Sequence, residues 1–149
     1  MKNTYIIYDS FHKKNTEKVL LAIKEHYPDV NLIKAKDFDE ANIEDVELVG
    51  LASGIYYGAF SKRMKPIMEK VFESNTDNIF YMYTAGIRNQ KYEMILQNKT
   101  EEAKKKFLGI WFCKGHDTFG PFKLIGGLNK NRPNQEDIQS ALKFFENLI

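Results

Sequence analysis

Short apolar runs alternate along this chain with stretches whose apolar residues fall at helical spacing. The first run, YIIY at 5–8, is apolar at every position, which is typical of a strand covered on both faces of a parallel sheet. The run at 30–35 is weaker and alternating, which suits an edge strand. Three further runs, at 47–52, 78–83 and 107–113, also predict strands. Strands that alternate with helices in this way predict an α/β fold built on a parallel sheet.

The stretches between the runs predict the helices. The first ends before Pro28, a second has its apolar face between Met64 and Phe72, and the last begins at Asn134, the expected N-cap, with Asp137 three residues on. Five strands joined by right-handed crossovers fit a three-layer arrangement with strand order 2-1-3-4-5. At 149 residues, with no linker or repeat, the chain is expected to form one domain, 1–149.

Composition excludes several classes of protein. The chain has 22 Lys and Arg against 20 Asp and Glu, a net charge of +2, and its cations are scattered, so no nucleic-acid partner is expected. The one cluster, Lys104 to Lys106, is interpreted as solvated surface at the end of a helix. A single cysteine, Cys113, excludes a disulfide within the chain and a cysteine-cluster metal site, and we expect a core thiol there. Since no apolar run suits a signal peptide or a bilayer span, the sequence predicts a cytoplasmic protein with no membrane attachment.

Three loops follow the strands at which ligands bind in such a sheet, where the strand order reverses. The loop at 10–16 (SFHKKNT) offers hydroxyls, an amide and cations before a helix, a combination that favours phosphate. The loop at 53–58 (SGIYYG) offers two tyrosines between glycines, which suits a flat ring, and 84–86 (TAG) is small enough for a ring to approach. Phosphate at one end and a ring at the other predict FMN. The glycine fingerprints of NAD and ATP sites are absent.

These loops resemble those of flavodoxins, specifically a group of short flavodoxin-domain proteins. That group carries S-x-H-H-G-N-T, matched here at 10–16, and G-S-G-I-Y-F-G, matched by ASGIYYG at 52–58. It also carries C-K-G-x-D-T-x-G-P-x-K-L-I-G-G-I-N-K-G-x-P-N, matched by CKGHDTFGPFKLIGGLNKNRPN at 113–134. The resemblance spans nearly the whole chain and implies a flavodoxin-like three-layer sandwich. Lys14 and Asn131 stand where the group has glycine. Either Lys14 is strained, if its position needs positive φ, or it adds a cation to the phosphate contact.

The resemblance also implies a role for each loop. Ser10, His12, Asn15 and Thr16 would hold the FMN phosphate, and two tyrosines would flank the isoalloxazine, with the Gly58 peptide facing flavin N5. Whether His12 contacts phosphate or is simply exposed stays open, and neither a catalytic residue nor a metal ligand is predicted. The predicted cofactor-binding residues are Ser10, Phe11, His12, Lys13, Lys14, Asn15, Thr16, Ser53, Gly54, Ile55, Tyr56, Tyr57, Gly58, Thr84, Ala85, Gly86, Gly115 and Asp117.

On this basis the chain is expected to be an FMN-binding electron-transfer protein that shuttles electrons between a donor reductase and an acceptor enzyme, as a monomer or weak dimer. The alternative is an FMN-dependent NAD(P)H:quinone-type oxidoreductase that acts on a small acceptor. A phosphoacceptor signalling domain of the same strand order needs a carboxylate at the end of the third strand, where this chain has Ala52, Ser53 and Gly54. The near-neutral charge departs from the strongly acidic electron-transfer flavodoxins, so their partner-binding faces are not transferred to this chain.

Overall fold

Strands and helices alternate throughout the structure, a computed structural model that describes residues 1–10, 14–115 and 131–149. The strands are β1 (Thr4–Asp9), β2 (Asn31–Lys34), β3 (Leu48–Tyr56), β4 (Ala59–Phe60), β5 (Asn78–Ala85) and β6 (Lys106–Lys114). The helices are α1 (Asn15–His26), α2 (Met64–Glu73), α3 (Gln90–Glu102) and α4 (Gln135–Glu146). Two 3₁₀ turns, Ala35–Asp37 and Glu40–Ile43, follow β2. None of the helices in these described ranges is long and apolar enough to cross a membrane.

The sheet has the predicted topology. Its strands lie in the order β2-β1-β3-β5-β6, all parallel, while the two-residue β4 pairs antiparallel with β3. With β4 set aside this is the order 2-1-3-4-5, so the predicted fold class is confirmed. The continuous apolar run in β1 follows from burial on both faces, because Ile6 and Ile7 are fully buried and belong to separate core clusters. Strand β2, at the edge, is partly exposed, in agreement with its alternating sequence.

Helices cover both faces of the sheet and produce three layers. One core cluster joins the sheet to α1 and α4, with Leu20 and Phe145 fully buried, and the other joins it to α2 and α3, with Met64 and Leu96 fully buried. Successive strand residues point to opposite faces, so each strand supplies both clusters. The predicted N-cap of the last helix is correct, since the Asn134 side chain accepts a hydrogen bond from the Asp137 N–H and the two residues form a capping box.

One local prediction is wrong. The strand predicted to end at residue 52 continues to Tyr56, and a two-residue turn at Tyr57 and Gly58 leads into β4. Both turn residues have positive φ, 54° and 83°, the backbone of a tight hairpin turn. The lysine cluster does lie at a helix end, as predicted: α3 ends at Glu102, the exposed Lys104 follows the C-cap with φ 61°, and Lys106 begins β6. A left-handed residue reverses the chain there, because the helix must stop before the next strand.

Candidate functional site

Residues distant in sequence meet at the carboxyl edge of the sheet. Thr16, in the first turn of α1, and Thr84, near the end of β5, are both buried, and their hydroxyl oxygens are 2.8 Å apart. The buried Asn15 packs against Gly115, which follows β6, because a Cβ added to Gly115 would lie 2.6 Å from the Asn15 Nδ2. The Gly115 N–H donates to the Ala85 carbonyl at 3.0 Å. The start of α1 is therefore held against the ends of β5 and β6.

Helix α1 begins without a side-chain cap from its N-cap residue. Lys14 occupies that position and makes no such hydrogen bond, whereas Asn89 and Asn134 cap α3 and α4. The Ser10 hydroxyl accepts a hydrogen bond from the Glu17 N–H at 3.2 Å, which ties the end of β1 to the first turn of α1. The N-terminus of a helix carries partial positive charge and directs N–H groups outward. This end of α1 therefore suits an anion such as phosphate.

Lys14 adopts φ 50° and ψ 37°, in the left-handed region. The position at which the chain departs from the glycine of the flavodoxin group thus does require positive φ. Left-handed backbone costs a residue with a Cβ about 1–2 kcal/mol. Glycine avoids this cost, but it loses more backbone entropy on folding, and that loss offsets about 0.5–1 kcal/mol of the gain. We expect Lys14→Gly to raise the free energy of unfolding in urea by about 0.5–1 kcal/mol. Lys14→Ala keeps the Cβ and removes the charge, so equal gains in both variants would contradict an origin in backbone strain.

The hairpin between β3 and β4 forms one side of this edge. Tyr57, at its tip, is 89% exposed, while the Tyr56 ring folds back over Gly54, where an added Cβ would lie 2.8 Å from the phenol oxygen. Asn89 holds the tip in place, because its Nδ2 donates to the Gly58 carbonyl at 3.3 Å while its Oδ1 accepts from the Tyr92 N–H at 2.9 Å. One side chain thus caps α3 and supports the hairpin turn.

A buried polar network lies beside the same hairpin. Asp9, at the end of β1, accepts a hydrogen bond from the Ser61 hydroxyl at 2.5 Å, and the Arg63 guanidinium is 4.0 Å from its other oxygen. The Ser53 hydroxyl donates to the Gly54 carbonyl at 2.7 Å and accepts from the Ser61 N–H at 3.2 Å. These bonds use the Ser53 side chain within the protein, where it joins β3 to the chain after β4.

Three side chains brace the loop between β5 and α3. Glu93 accepts two hydrogen bonds from the Arg88 guanidinium, at 2.9 and 3.0 Å, and a third from the Tyr83 phenol, whose oxygen accepts from the Asn89 N–H at 3.1 Å. The Arg88 hydrogen bonds hold the pKa of Glu93 below its usual value, against the opposing effect of burial. Burial, followed by the bond to Glu93, raises the pKa of Tyr83.

The Glu93 interactions predict a pH dependence of stability. Because its pKa is lower in the folded than in the unfolded protein, Glu93 stabilises the fold above the unfolded pKa, about 4.3, and loses this contribution as pH falls through the folded pKa. We expect Glu93→Gln to lower the free energy of unfolding by about 1–2 kcal/mol at pH 7. The difference from the parent protein should shrink in urea titrations at successively lower pH. A difference that is independent of pH would contradict a charged role for Glu93.

The structure describes most of the predicted cofactor-binding residues. Phe11, His12, Lys13 and Asp117 lie outside the described residues, as does 116–130 of the longest motif, so their predicted contacts stay predictions. Ile55 lies within β3, paired with Phe60, and Gly86 is buried directly after β5.

The remaining predictions concern metals and Cys113. Cys113 is a buried residue of β6, and burial, followed by the charge of Asp137, raises the pKa of its thiol to about 12; it is the core thiol that the sequence predicted. Within 1–10, 14–115 and 131–149, no three His, Cys, Asp or Glu side chains group as a metal site.

Sequence reasoning missed Asn89 and the pairing of Asp9 with Ser61. Asn89 both caps α3 and binds the Gly58 carbonyl. An asparagine just before a helix is a recognisable N-cap, so the first of these roles could have been predicted from the sequence. Its bond to Gly58 spans 31 residues, and the Asp9–Ser61 bond spans 52. No local pattern indicates contacts of that kind.

The chain has a flavodoxin-like fold. It superposes on a flavodoxin from the domain Archaea with a TM-score of 0.70 at 15% identity, covering 97% of this chain and 94% of that one. The two-electron reduced flavodoxin of Megasphaera elsdenii gives a TM-score of 0.64 at 14% identity, covering 93% and 97%. A flavoprotein in complex with FMN from Lactobacillus acidophilus NCFM gives 0.58 at 14% identity, covering 75% and 93%. At these identities the similarity shows the fold alone.

The chain belongs to the same protein family as the uncharacterized protein MJ0298 of Methanocaldococcus jannaschii. The two sequences are 35% identical over 146 residues, which cover 97% of this chain and 96% of the relative. No protein-family model matches the sequence. The narrower resemblance to short flavodoxin-domain proteins, which rests on the three motifs, stays a prediction.

Proposed function

We propose that the protein binds FMN at the carboxyl edge of its sheet and carries electrons between redox proteins. The observation that carries this proposal is the junction of Thr16 and Thr84, 2.8 Å apart, at the N-terminus of α1, which Lys14 leaves without a side-chain cap. This junction lies where ligands bind in sheets of this strand order. The flavodoxin-like fold supports the choice of ligand, since a flavoprotein of similar fold was solved with FMN.

The residues at the start of α1 have the chemistry to hold a phosphate. Thr16 and Thr84 each have one hydroxyl proton, and only one of the two protons is used in the bond between them, so the other can be donated to a phosphate oxygen. The Ser10 hydroxyl accepts from the Glu17 N–H and still has its own proton to donate. The helix N-terminus adds N–H groups and partial positive charge. Lys14 adds a full charge at the same end.

The hairpin supplies the other half of the proposed site. Tyr57 is exposed at the tip and can lie along a flat ring, and it needs no cavity to do so. Asn89 donates a hydrogen bond to the Gly58 carbonyl, which ties this turn to the start of α3. FMN, when bound, supplies the electron-transfer chemistry. The protein orients it, and Tyr57 shields one side of it from water.

Equilibrium titration with FMN tests the proposal. We expect near-stoichiometric binding at micromolar concentrations with quenched flavin fluorescence, because a stacked tyrosine quenches the flavin. Failure to bind at micromolar FMN would overturn the proposal. Mixing the FMN-loaded protein with NADPH and a quinone tests the electron-carrier role separately. Rapid turnover of NADPH would show a reductase acting on a small acceptor, whereas the carrier should turn over slowly without a protein reductase.

A further inference from the structure

Two strongly exposed apolar side chains lie on adjoining loops beside the proposed FMN site. Tyr57 is 89% exposed at the hairpin tip, and Ile87 is 69% exposed in the loop after β5. The two loops are joined directly, because the Asn89 side chain, two residues after Ile87, donates to the Gly58 carbonyl. Large apolar side chains exposed together at the rim of a ligand site are typical of protein–protein contact surfaces.

Exposed cations lie along the same edge of the sheet. Arg63 lies 4.0 Å from Asp9 at the end of β1, Lys14 precedes α1, and Lys114 ends β6. Arg88 lies just before Asn89, and Lys91 lies in the first turn of α3. The exposed cations of this edge are Lys14, Lys62, Arg63, Arg88, Lys91 and Lys114. Together with Tyr57 and Ile87 they form a surface that we call the basic face.

Among the described residues, the carboxylates of this face form hydrogen bonds or ion pairs within the protein and keep their charge. Asp9 is buried against Ser61 and Arg63, Glu17 accepts from the Tyr8 phenol at 3.0 Å, and Glu93 binds Arg88. Exposed carboxylates also border this face on its β2 side: Asp39, Glu40 and Glu44, in and beside the second 3₁₀ turn, line one surface pocket together with Arg63. The whole chain carries only +2. Among the described residues, the six cations of the basic face outnumber Asp9, Glu17 and Glu93 by three, so positive charge is concentrated at this edge.

We propose that the basic face docks a redox protein whose own contact surface is acidic. This inference rests on the proposed function and names the kind of partner that the carrier would meet. Opposite charges accelerate encounter and orient the partners, and the exposed Tyr57 and Ile87 supply the apolar centre of the contact. A partner that carries an iron–sulfur centre would supply the electron, FMN when bound would accept it, and solvent would supply any proton taken up.

The salt dependence of electron transfer tests this inference. The FMN-loaded protein is mixed with a reduced acidic ferredoxin and, separately, in its reduced form, with basic cytochrome c, and the second-order rate constants are measured by stopped flow. Raising the salt from about 0.01 M to about 1 M shortens the screening length from about 30 Å to about 3 Å. We expect the ferredoxin rate to fall at least about tenfold and the cytochrome c rate to rise. The sign of each change does not depend on the redox potentials.

Matched charge reversals locate the effect on the molecule. Lys62→Glu with Lys91→Glu removes charge from the basic face, while Lys106→Glu with Lys143→Glu makes the same change at the opposite edge of the sheet and on α4. All four side chains are exposed, and none belongs to the proposed FMN contacts. We expect the first pair to lower the low-salt ferredoxin rate about tenfold and the control pair to have a much smaller effect. Both double variants should bind FMN with the affinity of the parent protein.

The outcomes separate this inference from the proposed function. If FMN binds but the ferredoxin rate rises with salt, or the two pairs of reversals act alike, the docking inference is wrong and the FMN proposal stands. If the first pair instead weakens reduction by NADPH and leaves the ferredoxin rate unchanged, the cations serve a dinucleotide phosphate and the inference is overturned. Failure to bind FMN at all would reject the proposed function itself.

Discussion

Replacing both Asn15 and Thr16 with alanine is expected to weaken FMN binding at least about 100-fold while changing riboflavin binding less than about tenfold. Each charge-assisted hydrogen bond to phosphate contributes about 1.5–3 kcal/mol, so the two together correspond to at least about 3 kcal/mol. Riboflavin has no phosphate and cannot lose these bonds. Parallel fluorescence titrations with the two ligands measure the difference, and urea unfolding checks that the variant is folded.

A single conservative change provides the control for this pair. Thr16→Ser keeps the hydroxyl that lies 2.8 Å from Thr84 and should retain most of the FMN affinity. If the double alanine variant lost affinity for FMN and riboflavin equally, Asn15 and Thr16 would support the fold of the edge without touching phosphate. The same result would contradict phosphate binding at the start of α1, on which the proposed function rests.

Gly50→Ala is expected to lower the free energy of unfolding by about 3 kcal/mol, the largest effect of any single substitution considered. A Cβ at this position would lie 2.3 Å from Cζ of Phe80 and within 2.9 Å of both adjacent ring carbons. Phe80 is fully buried and packs against Phe144 and Phe145, with ring centroids 6.1 Å from each. Its ring therefore cannot move without disturbing the core between the sheet and α4. Overpacking of this kind typically costs about 1–3 kcal/mol.

Shrinking the neighbouring ring should partly rescue this variant. Phe80→Leu removes the clashing atoms, so the double variant Gly50→Ala with Phe80→Leu should be less destabilised than the sum of the two single changes. Urea unfolding of all four proteins completes the cycle. Additive losses would show that the strain arises in the β3 backbone and not from the Phe80 ring.

The fold was predictable because burial on both faces leaves a strong pattern. The five parallel strands appear in the sequence as apolar runs, and their order follows from handedness and connection rules. The β3–β4 hairpin was not predictable in the same way. Its turn has Tyr57 at φ 54°, a position where asparagine, aspartate or glycine is the usual signal. With glycines at 54 and 58, the segment resembles a loop. Pairing with β5 extends the strand to Gly54, and pairing with β4 extends it through Ile55 and Tyr56.

The candidate site was predictable to the extent that it follows from topology. The rule that parallel strands end at one edge brought Thr16 and Thr84 together although 68 residues separate them. The supporting bonds, Asn89 to Gly58 and Ser61 to Asp9, depend on how loops pack after the sheet has formed. Their residues carry no distinguishing spacing in the sequence. Prediction from sequence therefore located the site but not the side chains whose hydrogen bonds fix the loops around it.

A crystal structure of the protein with FMN tests the central claim most directly. The account predicts the phosphate at the N-terminus of α1, within hydrogen-bond distance of the Thr16 hydroxyl and the N–H groups of the first helical turn, and the isoalloxazine beside Tyr57 at the β3–β4 hairpin. A phosphate bound at another helix, or a ring that lies away from the carboxyl edge of the sheet, would contradict it.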